Sequence, residues 1–342
     1  MAPPLLAIEE LRVGFATEAG TVRAVDGVSL TVESGRVLGV VGESGCGKST
    51  LAMTILGLTR GEGAEVSGRI VLGGRDIAAL DESALRRLRG AEAAMIFQDP
   101  LASLHPLQRI GSQIVEAIRA HRTVPRAAAA ARAAELLREV GVPDPERRLR
   151  EYPHQLSGGM RQRAMIAIAL ANEPRLLIAD EPTTAVDVTV QARILALLDR
   201  LRRERGMAVV LITHDLGVVA EVADEVAVMY AGRIVERGPV ERIFADPQHP
   251  YTWSLLASVP RIDRPPARRL AQVGGRPPSL IAPPAGCHFR PRCPHEFDRC
   301  SAVPGLEPRA GDPGHLDRCW LDPERKRELR EAAASAGIED GR

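Results

Sequence analysis

Apolar residues recur along this chain in two rhythms. Runs dense in Val, Ile and Leu at Ile8 to Val13, Val25 to Val32 and Val37 to Gly42 predict strands, with Glu33 to Arg36 as the turn before the third. Further strands are expected at Gly68 to Leu72, Ala93 to Phe97, Arg175 to Ala179 and Ala208 to Thr213. The second rhythm has helical spacing and predicts helices over Thr50 to Leu58, Ile110 to His121 and Arg126 to Val140. Gly57, Gly61 and Gly63 mark the end of the first of these. Strands separated by helix-length stretches indicate an α/β fold, a largely parallel sheet with helices on its faces.

The rhythm changes twice. Within the first region, residues 1–240, Ala-rich helical segments replace strands between Gln98 and Gln155, and Pro143, Pro145 and Pro153 punctuate the exit. An inserted helical subdomain is expected there, at about 98–155. Beyond Glu241 the chain becomes Pro-rich, with Arg264, Arg276 and Ala282 each followed by two prolines, so residues 241–325 read as a loop-rich extension. Residues 326–342 read as a charged, partly helical, frayed tail.

The third strand runs into Gly42-Glu43-Ser44-Gly45-Cys46-Gly47-Lys48-Ser49-Thr50, a complete phosphate-binding loop between a strand and a helix. Its glycines let backbone N–H groups turn inward around phosphates, and the helix N-terminus adds its positive end. Lys48 can reach the outer phosphates and Ser49 can offer its hydroxyl to Mg²⁺; Cys46 fills a small, permissive slot. The strand Arg175 to Ala179 ends in Asp180 and Glu181, which places Asp180 to help hold Mg²⁺ and Glu181 to polarise an attacking water. Ser157-Gly158-Gly159-Met160 opens a helix and supplies a second anion site, so one chain carries two halves of a composite ATP site. Gln98, Asp187 and His214 are weak signals alone: a surface amide, a helix cap and a strand-end imidazole. Their positions relative to the strong motifs raise all three.

Through these motifs, from Phe15 to His214, the chain resembles the ATP-binding subunits of ABC transporters. The resemblance implies a P-loop, RecA-like ATPase core, with Gln98 as the Q-loop residue that touches metal and water, Asp187 as the D-loop and His214 as the switch histidine. Phe15 would stack on adenine. It also implies a head-to-tail dimer in which Ser157-Gly158-Gly159 of one subunit faces the phosphate loop of the other. A heterodimer with a second ATPase subunit is expected, a homodimer being the alternative. Both would dock on two transmembrane permeases, fed by an external peptide-binding protein.

Pro247 to Leu256 and Phe97 to Leu104 resemble the corresponding stretches of oligopeptide and dipeptide importer ATPases, although His105 stands where Asn is usual. The implied function is ATP hydrolysis that energises di- or oligopeptide import. The alternatives are an importer of nickel or another small solute and, from a different class, a soluble ABC ATPase acting on ribosomes or DNA. The extension holds Cys287, Cys293, Cys300 and Cys319 in a loop-rich segment with little apolar material. Four soft ligands there suit an iron–sulfur cluster or Zn²⁺. Their spacing lacks paired Cys-x2-Cys knuckles, which favours [4Fe–4S], and relatives with this extension are thought to hold one. His288, His295 and His315 could substitute as ligands but read more simply as solvated loop histidines.

Composition narrows the setting. A formal charge of +1 gives no electrostatic argument for nucleic acid as a partner. No apolar run approaches the roughly 20 residues of a membrane span, and Met1 to Leu6 does not resemble a signal peptide. These features predict a chain kept in the cytoplasm, where disulfides are poor candidates for its five cysteines, and the resemblance to transporter subunits implies a peripheral position on the cytoplasmic face of the cell membrane.

Overall fold

The computed structural model describes residues 3–183, 188–258, 273–308 and 312–339. Among them the strands are β1 (Leu6–Thr17), β2 (Gly20–Val32), β3 (Val37–Val41), β4 (Ala64–Leu72), β5 (Arg75–Asp76), β6 (Ala93–Ile96), β7 (Leu176–Asp180), β8 (Ala208–Ile212), β9 (Glu225–Tyr230), β10 (Arg233–Pro239) and β11 (Leu316–Asp317). The helices are α1 (Lys48–Ile55), α2 (Glu82–Leu88), α3 (Pro100–Ser103), α4 (Ile110–Arg119), α5 (Arg126–Glu139), α6 (Pro145–Arg148), α7 (Gly158–Ala169), α8 (Val188–Arg205), α9 (Leu216–Val222), α10 (Val240–Ala245), α11 (Pro250–Ala257) and α12 (Pro323–Glu339).

The strands form two sheets. The larger has the order β11-β10-β9-β3-β8-β7-β6, parallel from β9 to β6 and antiparallel at the β10 and β11 edge. The central strands are apolar throughout because both faces are covered. Ala94, Ile96, Leu177, Ala179, Val209 and Leu211 point into a core shared with the helices; their alternates Ala93, Met95, Leu176, Ile178, Ala208 and Val210 point into a second core on the other side. A separate antiparallel sheet, β2-β1-β4-β5, closes that second core. The first strands therefore do not join the parallel sheet; β1 pairs with β2 through a tight turn and with β4 across the phosphate loop and α1.

Residues 98–155 are helical and carry α3 to α6. Ile110, Ile114 and Ile118 form the buried stripe of α4, and Ala129 and Ala133 on α5 are small enough for close helix approach. In the extension, β11 adds a short edge strand to the main sheet, with Asp317 opposite Glu236. The first turns of α12 are anchored: Lys326 Nζ donates to Asp317 Oδ1 at 2.8 Å with both side chains buried, and Arg330 pairs with Asp246. His288 and His315 are buried rather than solvated, because they bridge the extension to the core. His288 Nδ1 lies 2.9 Å from the Ala231 carbonyl, and His315 Nε2 lies 2.7 Å from Glu236 Oε1. No helix among the described residues is long and apolar enough to cross a membrane.

Candidate functional site

Neighbouring parallel strands deliver the motif residues to one edge. The phosphate loop follows β3, Asp180 ends β7, Gln98 follows β6 and His214 follows β8; these four strands are adjacent in the order β3-β8-β7-β6. Their carboxyl ends face the crevice where open α/β sheets bind ligands.

The loop is held open by glycines that nothing else could replace. At Gly42, with φ +154°, a Cβ would stand 2.1 Å from the Met229 carbonyl oxygen, and at Gly47, with φ +108°, it would stand 2.0 Å from that of Ala24. The backbone is thus pressed against its surroundings on the outside. Lys48 is buried and its ammonium donates to the carbonyl oxygens of Gly42 (2.8 Å) and Glu43 (3.0 Å), inside the loop. Ser44 and Gly45 at the tip are exposed, whereas Cys46 is buried and burial pushes its thiol pKa up. Ser49 and Thr50 sit in the first turn of α1.

The acidic end is equally defined. Asp180 is almost fully buried; burial raises its pKa, repulsion by Glu181 adds to this, and a hydrogen bond from Ser49 and the charge of Lys48 oppose it. Its Oδ1 is buried without a hydrogen-bond partner, a cost of about 1–3 kcal/mol that a cation between Ser49 and Asp180 would remove. The residues present therefore fit Mg²⁺. Glu181 adopts φ +47°, a left-handed conformation uncommon for a side-chain-bearing residue, which is stored strain at the end of β7. Gln98 Nε2 donates to Glu181 Oε2 at 2.9 Å, and His214 Nδ1 lies 3.2 Å from Glu181 Oε1. The three residues thus meet at one carboxylate.

Ser157 caps α7, its hydroxyl accepting from the Met160 N–H at 3.4 Å, and Ser157 and Gly158 are exposed. Gln162, one turn on, is buried and donates to the Pro182 carbonyl at 2.6 Å, tying this helix to the acidic strand end. Phe15 is half-buried on β1, opposite Val22 and Ala64. Asp187 lies outside the described residues.

Two contacts to the loop had no signal in the sequence. Glu43 donates its N–H to the Tyr251 hydroxyl (2.8 Å), and its carboxylate is held by Arg292. Tyr251 and Arg292 both come from the extension.

Cys287, Cys293, Cys300 and Cys319 line a single small cavity of about 20 Å³, together with His249, His295, Phe289 and Trp320. Burial raises the thiol pKa of Cys287, pushes that of Cys293 up to about 11 and that of Cys319 to about 12, with the neighbouring cysteines adding to each shift. Among the described residues no three His, Cys, Asp or Glu side chains are gathered tightly enough to hold one metal ion. The four cysteines line one cavity without a metal-holding group among them.

Comparison with known proteins places the chain. Residues 25–184 match the ABC transporter family and residues 235–300 match the oligopeptide/dipeptide transporter C-terminal region. The chain is 49% identical over 323 residues to the dipeptide transport ATP-binding protein DppD of Bacillus subtilis, covering 94% of this chain and 96% of that protein. It is 48% identical to the oligopeptide transport ATP-binding protein OppD of Salmonella typhimurium, covering 92% and 93%. Among solved structures, the ATP-binding cassette MJ0796, a dimer bound to ADP and phosphate, superposes with a TM-score of 0.63 at 27% identity, over 69% of this chain and 98% of that one. The fold, the edge at which the motifs meet and near-complete alignment agree: the chain belongs to the ATP-binding proteins of the oligopeptide/dipeptide ABC transporter family.

Proposed function

We propose that the chain hydrolyses ATP to energise import of di- or oligopeptides, as a peripheral subunit on the cytoplasmic face of the cell membrane. The observation that carries this reading is the meeting of Gln98, Glu181 and His214 beside the Ser49–Asp180 pair, in a chain whose relatives are named for peptide transport. Lys48 and the N–H groups of the loop from Gly42 to Thr50, other than that of Glu43, which donates to Tyr251, bind the phosphates, and Phe15 stacks on the adenine. Ser49, Asp180 and Gln98 would hold Mg²⁺, which would supply neutralising charge to the outer phosphates. Glu181 accepts the proton of the attacking water, Gln98 orients that water, and His214 contacts the terminal phosphate.

The exposed N-terminus of α7 supports a composite site. Ser157, Gly158, Gly159 and Met160 face the phosphate loop of a second ATPase subunit, with Asp187 at the same interface; Val188, 82% exposed at the start of α8, is the apolar surface such a partner would cover. A heterodimer is the preferred arrangement. Two permeases dock on the helical subdomain, residues 98–155, where a cavity of about 920 Å³ lies between Leu107, Arg109, Arg119 and Tyr152, and Leu101 and Leu107 are exposed. In this division residues 1–240 form the ATPase domain, 241–325 the extension and 326–342 the tail. An external binding protein delivers the peptide.

Cys287, Cys293, Cys300 and Cys319 line one cavity, and it is this shared lining that supports a [4Fe–4S] cluster held by four thiolates. Such a cluster would cross-link a segment that has little apolar core. Replacing Cys293 by Ser should then abolish iron in anaerobically purified protein; unchanged iron would reject this assignment. For the whole reading, the test is affinity purification from detergent-solubilised membranes with mass spectrometry of the accompanying chains. Two permeases and a second ATPase are expected; ribosomal or DNA-repair partners without a membrane protein would overturn it.

A further inference from the structure

The outer side of the phosphate loop is gripped by the extension. Arg292 is 4% exposed and makes a bidentate pair with Glu43, Nη1 to Oε2 at 2.6 Å and Nη2 to Oε1 at 2.9 Å, across 249 residues of chain. The guanidinium is fixed on every side. Its remaining N–H groups donate to the Tyr230 hydroxyl (3.2 Å) and to the carbonyl oxygens of Gly274 (2.6 Å) and Val273 (3.0 Å). Tyr230 in turn packs edge-on against Phe289 and tilted against Tyr251, whose hydroxyl accepts the Glu43 N–H. Below them, the β9–β10 turn supports the loop from beneath: Gly232 N donates to the Cys46 carbonyl at 2.9 Å, and the extension's His288 binds the adjoining Ala231 carbonyl.

A part-buried, planar, doubly bonded Arg–carboxylate pair fixes orientation as well as distance. Its carboxylate belongs to the second residue of the loop, whose backbone direction sets where the following N–H groups point. Both carboxylate oxygens of Glu43 are taken up by Arg292. Preorganised donors bind an anion more tightly than donors that must first be ordered. We propose that Arg292 is a positioning residue for ATP binding: through Glu43 it holds the phosphate loop in its binding geometry, so that the folded state of the cysteine-bearing extension sets the nucleotide affinity of the ATPase core. The sequence position of Arg292, between Cys287 and Cys293, places this contact within the segment those cysteines would staple.

This inference rests on the ATP-site reading above, and the experiment separates the two. The full-length chain carries Glu43→Gln, Arg292→Gln or both, with Lys48→Ala as the control for nucleotide binding, and MgATP affinity and steady-state hydrolysis are measured. Each single variant should raise KM for ATP about tenfold with kcat changed less than twofold, and the double variant should be no worse than either single one, as for residues acting as one unit. Glu43→Gln leaves Arg292 and the four cysteines in place, so its metal content should equal that of the unaltered protein. An unchanged KM in Glu43→Gln, additive effects in the double variant, or a loss of kcat proportional to a loss of folded protein would overturn the proposal. Unimpaired ATP binding in Lys48→Ala would instead overturn the ATP-site reading itself.

Discussion

Replacing Glu236 by Gln tests whether the extension is stitched to the core through one carboxylate. Glu236 on β10 is fully buried. Its Oε1 accepts from the Gln248 N–H (2.5 Å) and lies 2.7 Å from His315 Nε2, while Oε2 accepts from the His249 N–H at 2.8 Å. Both oxygens therefore face backbone donors. An amide keeps the shape but has only one acceptor, so its NH2 group must confront a backbone N–H in either orientation. One buried N–H is left unsatisfied, at about 1–3 kcal/mol, and the surviving bonds lose their charge assistance, worth about another 1–2 kcal/mol. The expected destabilisation is about 2–5 kcal/mol. Both tryptophans, Trp253 and Trp320, lie in the extension, so intrinsic fluorescence during urea unfolding reports this junction directly. A transition unchanged within about 0.5 kcal/mol, the range of an ordinary surface substitution, would refute the reasoning.

Three further outcomes are expected. Glu181→Gln should slow ATP hydrolysis about 10²- to 10⁴-fold while an ATP-bound dimer accumulates in size-exclusion chromatography; near-normal turnover would reject Glu181 as the base. Tyr251→Phe removes the acceptor of the Glu43 N–H and should destabilise by about 1–3 kcal/mol with weaker MgATP binding, read by calorimetry; wild-type affinity would show that this hydroxyl does not support the loop. Complete burial, aided by the charge of Lys326, lowers the His249 pKa to about 3, and its Nδ1 accepts the Tyr251 N–H, a bond only the neutral ring can make. Between about pH 6.5 and 3 the unfolded chain binds a proton the folded chain refuses, so this contribution is complete above pH 6.5 and fades by up to about 1.4 kcal/mol per unit as pH falls. His249→Asn keeps a capping acceptor and should flatten that slope in urea midpoints; an unaltered slope would contradict it.

How far the sequence carried the structure depended on the range of the interactions. The strands bearing motifs were legible because β3, β7 and β8 are buried on both faces and read as unbroken apolar runs. The separation into two sheets was not, because β1 and β2 have the same local composition whether they join a parallel sheet or cover it; pairing of β1 with β4 is set by contacts such as Leu6 with Leu72 and Phe15 with Ala64, far apart in the chain. In the site, Lys48, Ser49 and Asp180 could be placed from local motifs, and Gln98, Glu181 and His214 meet because each follows a strand of one sheet. Arg292 and Tyr251 had no such cue: nothing in a Pro-rich stretch signals a carboxylate some 250 residues earlier. The loop-forming neighbours of His288 and His315 predict solvated rings; tertiary burial decides otherwise.

The hydrogen bonds around Glu181 suggest how the helical segment is geared to the chemistry. That segment is connected to the strand end twice, at its two borders. Gln98, where the chain leaves β6 for α3, donates to the Glu181 carboxylate; Gln162 on α7, where the chain returns, donates to the carbonyl of the next residue, Pro182. Glu181 itself sits in a strained left-handed conformation whose N–H is fixed by the Ile212 carbonyl at 2.8 Å. A displacement of the helical segment against the parallel sheet would therefore bear on residues 181 and 182 through these two bonds. The carboxylate is also contacted by His214, so its hydrogen bonding reports on both the β6 and the β8 strand ends.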